Sequence, residues 1–359
     1  MDKYSNDINQ KNIIEKNIDE LKSGMTIGKD IEYNFGGVLI LEGTILNNRK
    51  INQLKQLDIS SIPVYDEEQS QIEENVKRIK RINRNYQKNK DEMKSMFKKI
   101  RNTNKIEYKE VRDLTYKVTT LGNEDDMIDL LTRVRQADEY TYLHLLNVGM
   151  LAYMFSNWLN LDEEESIKLT QAGFLHDMGK AHIPNEILNK PGELTSEEYK
   201  EMKKHSMYGY QMTRENENIS EKVAQGILTH HERFNGEGYP LEIKGKKIPF
   251  FGRILAIVDT FDAITAERIY QPSSSPFKAI KLFHEENLGA FDYELVNIFL
   301  DKIPNYFVNE EVKLTDGRKA KIVFINPRHP HKPIININGD YIDLYNNSNI
   351  KIEKIIKEK

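Results

Sequence analysis

The sequence predicts a mainly α protein with a small α/β module at its N-terminus and a small β-rich module at its C-terminus. Three observations carry this. Apolar residues recur at helical spacing through most of 130–305, the period switches to two beyond residue 310, and a short mixed segment with a glycine pair precedes both. At 359 residues the chain exceeds one compact core, and the expected division is 1–68, 69–130, 131–306 and 307–359. Hydrophobic residues make up 38% and charged residues 30%, a globular balance with a polar bias. A net charge of -4 argues against a general nucleic-acid binder. No apolar run reaches about 18 residues, so no membrane insertion is expected. The opening MDKYSNDINQKN lacks the apolar core of a secretory signal, and a cytoplasmic location is the expectation. With no cysteine in the chain, thiolate ligands, disulfides and cysteine nucleophiles are excluded.

In the first module Gly36-Gly37 precedes an apolar run at 38–41, helical spacing follows at 47–57, and 59–65 has the pattern of a closing strand. An accessory or docking role without chemistry suits so small a unit. Ile72, Ile79, Tyr86, Met93 and Ile100 then recur every seven residues, with Asn75, Ile82, Asn89, Met96 and Thr103 three places later. That is a heptad register with a weak, partly polar second row. Between 77 and 105, twelve Lys/Arg face only Asp91 and Glu92, so the stretch carries +10 and the rest of the chain -14. Two parallel copies would repel, and the expectation is a helix packed on its own central domain, with a homodimer salt-dependent.

The central helices follow in order. Tyr140, Leu143, Leu151, Met154 and Trp158 share a face, and Ile167, Phe174, Leu175 and Met178 repeat the pattern up to a stop at Gly179. Pro184 suits a first helical turn, and Thr195 with Glu198 forms a capping box that opens a helix over 196–205, ending at His205. A helix at 223–229 ends at His230-His231; Ile254, Val258, Phe261 and Thr265 define another, and 277–286 and 292–303 complete about eight. Beyond 310, Asp316-Gly317 marks a two-residue hairpin turn between 312–314 and 320–325. Strands at 334–338, 341–344 and 350–355 would close a small β-barrel or curled sheet, with His329 and His331 as loop residues among prolines.

The chemistry concentrates in the centre. Six of nine histidines lie between 144 and 231, and Asp259 sits inside an apolar helix, where a lone carboxylate would cost several kcal/mol. His144, His176, His205, His230 and His231, with Asp177 and Asp259, occupy helix ends or apolar faces. Imidazole and carboxylate are the ligand set for iron and manganese. Seven such groups exceed the needs of one ion, and a carboxylate can bridge two. The residue count therefore points to two-metal hydrolysis of a phosphate ester.

The string HDMGK at 176–180, IPNEILNKPGELT at 183–195, HHERFNGEGYP at 230–240 and RILAIVDTFDAIT at 253–265 resemble the HD-GYP subgroup of the HD phosphohydrolase superfamily. The resemblance spans about 135–300 and implies an all-helical HD-type domain. It also implies a phosphodiesterase that hydrolyses cyclic di-GMP to the linear dinucleotide and GMP through a metal-bridging hydroxide. By position, His144, His176, Asp177 and Asp259 would hold one divalent ion, iron or manganese. Asp177 would bridge to a second ion held by His205, His230 and His231. Lys180 would face the scissile phosphate, and Arg268 would contact the ligand's phosphates. Tyr239 and Pro240 would shape the site and meet partner proteins, with Gly236 and Gly238 giving their loop its freedom. Two departures stand out. Tyr140 occupies the place of a glutamate that holds a third ion in some members, with Glu139 one position away. Gln271 stands where a second cationic phosphate contact often sits. The rival readings are a catalytically weak cyclic-dinucleotide-binding protein that signals through Gly238-Tyr239-Pro240, and a phosphohydrolase acting on a simple nucleotide.

Overall fold

The structure is a computed structural model that describes residues 13–22, 25–32, 38–44, 46, 48–55, 59–120, 127–128, 130–131, 140–265, 275–286, 289–347 and 349–356. Gly36-Gly37, Arg268 and Gln271 lie outside these residues, as do the side chains of Ile72, Asn75, Ile79 and Tyr140. The chain forms two compact units, 1–81 and 82–359, so the division falls inside a helix instead of at residues 68, 130 and 306.

In the first unit, strand β1 (Ile13–Asn17) pairs antiparallel with β4 (Ser61–Tyr65), and β2 (Ile31–Glu32) pairs with β3 (Val38–Ile40). Helix α1 (Asn48–Lys55) contributes Ile51 and Leu54 to a core with Ile27, Leu46, Ile62 and Val64. The strand at Ile13 escapes a sequence reading because it has no apolar alternation, and its residues stay largely exposed.

Helix α2 (Glu67–Thr103) matches the heptad stretch. In the second unit Ile82, Tyr86, Asn89, Met93, Met96 and Ile100 are buried, and the apolar ones among them belong to the same core as the central helices. From Ile82 onward the stripe is thus consumed within the chain. Helix α3 (Tyr108–Thr119) follows, then α4 (Tyr140–Trp158), which is apolar around its circumference as a buried helix must be. Helix α5 (Glu163–Leu175) is capped by Asp162, whose carboxylate accepts from Glu165 N–H. It packs along α4 where Gly149 meets Gly173, and a Cβ on Gly173 would lie 2.7 Å from Gly149 Cα.

Helix α5 ends at Leu175, four residues before the expected stop. Gly179 instead lies in a 3-10 turn (Met178–His182), pressed so closely on α8 that a Cβ would sit 1.9 Å from His205 O. Past α6 (Asn185–Leu188), the capping box at Thr195 and Glu198 opens α7 (Ser196–Lys203) as its residues require. The chain turns at Lys204, and His205 begins α8 (His205–Arg214) instead of ending α7. Helix α9 (Glu221–Thr229) packs on α5, α8 and α10 (Phe250–Thr265), and α10 returns to α4. Helix α11 (Pro276–Lys281) passes into a π-turn (Leu282–Glu286) instead of continuing regularly, and α12 (Tyr293–Lys302) closes the helical part.

The C-terminal strands β5 (Glu311–Leu314), β6 (Lys319–Phe324), β7 (Ile334–Ile337), β8 (Asp340–Asp343) and β9 (Ile352–Ile356) form an antiparallel sheet in the order β8-β7-β6-β5-β9. It stays open, with β8 and β9 at opposite edges, so of the two expected closures, barrel or sheet, the chain takes the sheet. The β5–β6 turn is a three-residue loop: Leu314 N–H donates to Arg318 O, Gly317 N–H donates to Leu314 O, and only Gly317 has positive φ (+90°). A two-residue turn of the type expected needs positive φ at both central positions, and Asp316 does not supply it. Val312, Leu314, Ala320 and Ile322 join the core of the central helices. Among the described residues no helix is long and apolar enough to cross a membrane.

Candidate metal centre

The seven residues singled out from the sequence come together where α4, α5, α8, α9 and α10 converge. Their burial is nearly complete; Asp259 and His231 retain the most exposure, with side chains 12% and 19% accessible. One group comprises His144, His176 and Asp259; a second comprises Asp177, His205, His230 and His231. Within each group the candidate ligand atoms lie within 4.8 Å of one another. Asp177 faces both groups. Its Oδ2 is 3.5 Å from His144 Nε2 and 3.4 Å from His176 Nε2, and its Oδ1 is 3.2 Å from His205 Nε2.

Local geometry decides which imidazole nitrogen is available. His176, His205 and His230 each place Nδ1 on the carbonyl three residues earlier, at Gly173, Met202 and Ile227, at 2.7, 2.7 and 2.6 Å. A carbonyl only accepts, so Nδ1 carries the proton and Nε2 presents a lone pair. A histidine that ends or begins a helix meets such a carbonyl in the preceding turn, and each of these three occupies such a position. His144 lies mid-helix and has no such carbonyl; its Nδ1 instead donates to Asp262 Oδ2 at 2.8 Å. Asn147 Nδ2 donates to Asp262 Oδ1 at 2.9 Å, and Tyr86 OH donates to Asn147 Oδ1 at 2.5 Å.

The result is a convergence of lone pairs. His144 Nε2 stands 3.2 Å from His176 Nε2 and 3.1 Å from Asp259 Oδ1, and His205 Nε2 stands 3.3 Å from His230 Nε2. Acceptors facing acceptors at such distances repel unless a cation lies among them. Asp177 Oδ1 is buried without a hydrogen-bond partner. Donor type, tautomer and spacing therefore all suit divalent metal ions.

The electrostatics agree. Burial opposes ionisation of Asp177, but the Lys180 ammonium and the His176 and His144 imidazoles outweigh it and hold its carboxyl well below the usual range. Burial likewise opposes ionisation of Asp259, and the neighbouring imidazoles of His144, His176 and His231 hold its carboxyl well below the usual range. His230 and His231 are pushed well below the ordinary imidazole range, first by burial and then by neighbouring imidazoles. They stay neutral, as ligands must.

Lys180 Nζ bonds Asp177 Oδ2 and is a quarter exposed, at the mouth of the cluster. Tyr239 stacks on His231, with centroids 4.7 Å apart, and Lys203 Nζ lies over the Tyr239 ring, 5.6 Å from its centroid. Burial, with the charges of Tyr199, Asp177 and Asp259, raises its phenol pKa, so it is a neutral hydroxyl. The loop that carries it is held by backbone. Tyr239 N–H donates to His231 O, and Leu241 N–H donates to the buried carboxylate of Glu232 at 2.6 Å. Gly236 has φ +89°, whereas Gly238 is needed for closeness: a Cβ there would lie 2.3 Å from Arg233 N. Pro240 follows a cis peptide bond in this loop.

Sequence reading missed Asp262, Asn147, Tyr86 and Glu232. The spacing of Asp259 and Asp262, three apart on one helix, was the available signal for the first of these. Arg268 lies outside the described residues.

An HD domain family matches residues 125–295. A cyclic di-GMP phosphodiesterase of Pseudomonas aeruginosa is 33% identical over 231 residues, covering 64% of this chain and 55% of the relative. A cyclic di-GMP phosphodiesterase of Thermotoga maritima is 36% identical over 181 residues, 47% of this chain and 49% of the relative. A 3'3'-cGAMP-specific phosphodiesterase of Vibrio cholerae is 38% identical over 174 residues, 48% of this chain and 33% of the relative. The chain thus spans about half the length, or less, of these curated relatives. An HDGYP protein from Bdellovibrio bacteriovorus has a similar fold, with TM-score 0.50 at 16% identity over 81% of this chain and 99% of that one.

Proposed function

From the match of residues 125–295 to the HD domain family, we propose that the chain is a metal-dependent phosphodiesterase of cyclic dinucleotides, with cyclic di-GMP as its substrate. The observation that carries this reading is the shared carboxylate. Asp177 offers one oxygen to His144 and His176 and the other to His205, with Asp259 completing the first group and His230 and His231 the second. His144, His176, Asp177 and Asp259 would hold one ion, and Asp177, His205, His230 and His231 the other, iron or manganese by donor type. Bound divalent ions supply Lewis acidity for the attacking and leaving oxygens of an in-line displacement at phosphorus.

The protein's own groups do the rest. Asp262, itself held by Asn147, keeps the His144 proton on Nδ1 and so aims Nε2 inward. Lys180 offers an ammonium to the phosphate, offsetting the charge that develops as one P–O ester bond forms and another breaks. Tyr239, neutral and stacked on His231, walls the site towards solvent and can hydrogen-bond a phosphate or base. Arg268 is assigned a second phosphate contact by its position in the sequence. Protein partners at Gly238-Tyr239-Pro240, and a salt-dependent homodimer through the basic face of α2, belong to the same proposal.

The test is turnover by anaerobically purified, metal-loaded protein with cyclic di-GMP and 3'3'-cGAMP, each with product identification. Conversion of cyclic di-GMP to the linear dinucleotide supports the reading. Preference for 3'3'-cGAMP would move the substrate, a reading favoured by the Vibrio cholerae relative. Tight binding of either ligand without turnover by fully metal-loaded protein would replace the enzyme by a signalling receptor.

A further inference from the structure

A second set of metal-type donors lies outside the centre described above. The π-turn (Leu282–Glu286) presents His284 and Glu285, and the connection between β6 and β7 presents His331. Their ligand atoms lie within 4.8 Å of one another. His331 Nε2 is 2.9 Å from Glu285 Oε1, and the His284 and His331 rings are 5.1 Å apart by centroid.

His331 is the informative member. Its side chain is only 3% exposed, yet Nδ1 has no partner and Nε2 has only the Glu285 carboxylate at 2.9 Å, without the alignment of a hydrogen bond. Buried imidazole nitrogens ordinarily find partners, since leaving one unmade costs about 1–3 kcal/mol. The loop could have placed this histidine in water, two residues from the partly exposed His329; Pro330 and Pro333 instead hold it inward. Burial, partly offset by Glu285, pushes its imidazole down to about 4, so it is a neutral base at physiological pH. A π-turn is itself an uncommon choice and is frequent at functional sites. Here it sets two consecutive donors on one side of the helix end.

We propose that His284, Glu285 and His331 bind a divalent ion of the zinc class, at a site separate from the central seven residues, that clips the helical domain to the C-terminal sheet. Two imidazoles and a carboxylate form a recognised zinc set, and a tetrahedral ion with bonds near 2.0–2.1 Å places its ligands about 3.4 Å apart. From separations of at most 4.8 Å, the donors need to close by no more than about 1.4 Å. His329, stacked on Tyr345 with its ring centroid 6.0 Å from that of His284, or a water supplies the fourth position. The site opens on a cleft lined by Asn297, Asp301 and Arg328, which admits the ion. Because the clip joins two parts of one core, its expected effect is on stability.

The experiment uses the full chain, stripped with chelator and reloaded with zinc, in an Asp177→Ala background that removes the shared carboxylate of the central site. Zinc per chain is counted by elemental analysis, and melting is followed with and without zinc. Two variants, His284→Ala and Glu285→Gln, alter exposed side chains, so their folding is checked and expected to hold. The parent should retain one zinc more than either variant. Zinc in hundredfold excess over its dissociation constant should raise Tm by roughly 5 °C in the parent only. Equal zinc counts in parent and variants overturn the proposal. Neither readout depends on cyclic-dinucleotide turnover, so failure here and failure of the proposed activity are distinguishable.

Discussion

At the scale of single residues, the centre is organised by where protons sit. Three of the five histidines commit Nδ1 to a backbone carbonyl and a fourth, His144, to Asp262, so these four turn a lone pair inward. Asp177→Ala removes the carboxylate that turns one oxygen to each group. It should abolish turnover and lower bound metal while far-ultraviolet circular dichroism stays unchanged; near-normal metal content would refute the bridging role. Asp262 acts through His144 and is a positioning residue. Asp262→Ala should cost 10- to 100-fold in metal affinity, with activity partly restored at high metal concentration. A variant that high metal cannot rescue would mark a purely structural role. Protonation also governs stability. His230 and His231 resist protonation when folded but accept protons near pH 6.5 when unfolded, so the unfolded chain binds more protons below that pH. The metal-free protein should therefore lose Tm as pH falls from 7 to 5. His331 adds to the loss down to about pH 4. The depressed Asp177 and Asp259 contribute stability that is present above the ordinary carboxylate range and is lost only below it. Chelated samples melted across this range check the sign; a Tm flat between pH 7 and 5 would contradict it.

Among the elements, α2 matters more than its polar composition suggests. Its second half inserts Phe97 edge-on against Tyr142 of α4 at 5.7 Å, and Tyr86 OH donates to Asn147, which donates in turn to the Asp262 carboxylate beside His144. Burial of Ile82, Tyr86, Met93 and Ile100 in the chain's own core leaves only the basic face of this half for another copy. Phe97→Ala should destabilise by about 3–5 kcal/mol in urea unfolding, the usual cost of emptying an aromatic site. A change under about 1 kcal/mol would show that α2 is a detachable connector after all. The heptad register was legible in the sequence because its period is local. Its partner was not, because a stripe of this width fits a second copy and a neighbouring helix equally well.

For the molecule as a whole, the C-terminal sheet is not an appendage. Val312, Leu314, Ala320, Ile322 and Ile335 share one apolar core with the central helices. Each of these side chains other than Ala320 is worth about 1.5–3 kcal/mol, so together they rival the whole stability of a domain, about 5–15 kcal/mol. Ending the chain at residue 306 should therefore give insoluble protein, or protein whose cooperative melting is lost. A truncated chain that melts within a few degrees of the parent would show the sheet to be separable. In the first unit the pairing of β1 with β4 depends on residues about fifty apart, and only the closing strand was visible beforehand.

The sequence by itself determined the helical class, the types and order of the candidate donors, and the capping box at Thr195, because these depend on residue chemistry and on neighbours within one turn. It also placed all seven central residues on helix ends or apolar faces. Only the tertiary structure decided which nitrogen of each histidine faces inward, and that Asp262 orients His144 from 118 positions away. The same holds for His331, whose loop is sequence-adjacent to prolines but chemically adjacent to Glu285. Helix periodicity and caps are written in short windows, whereas a metal-type cluster is made by packing between elements that no window contains.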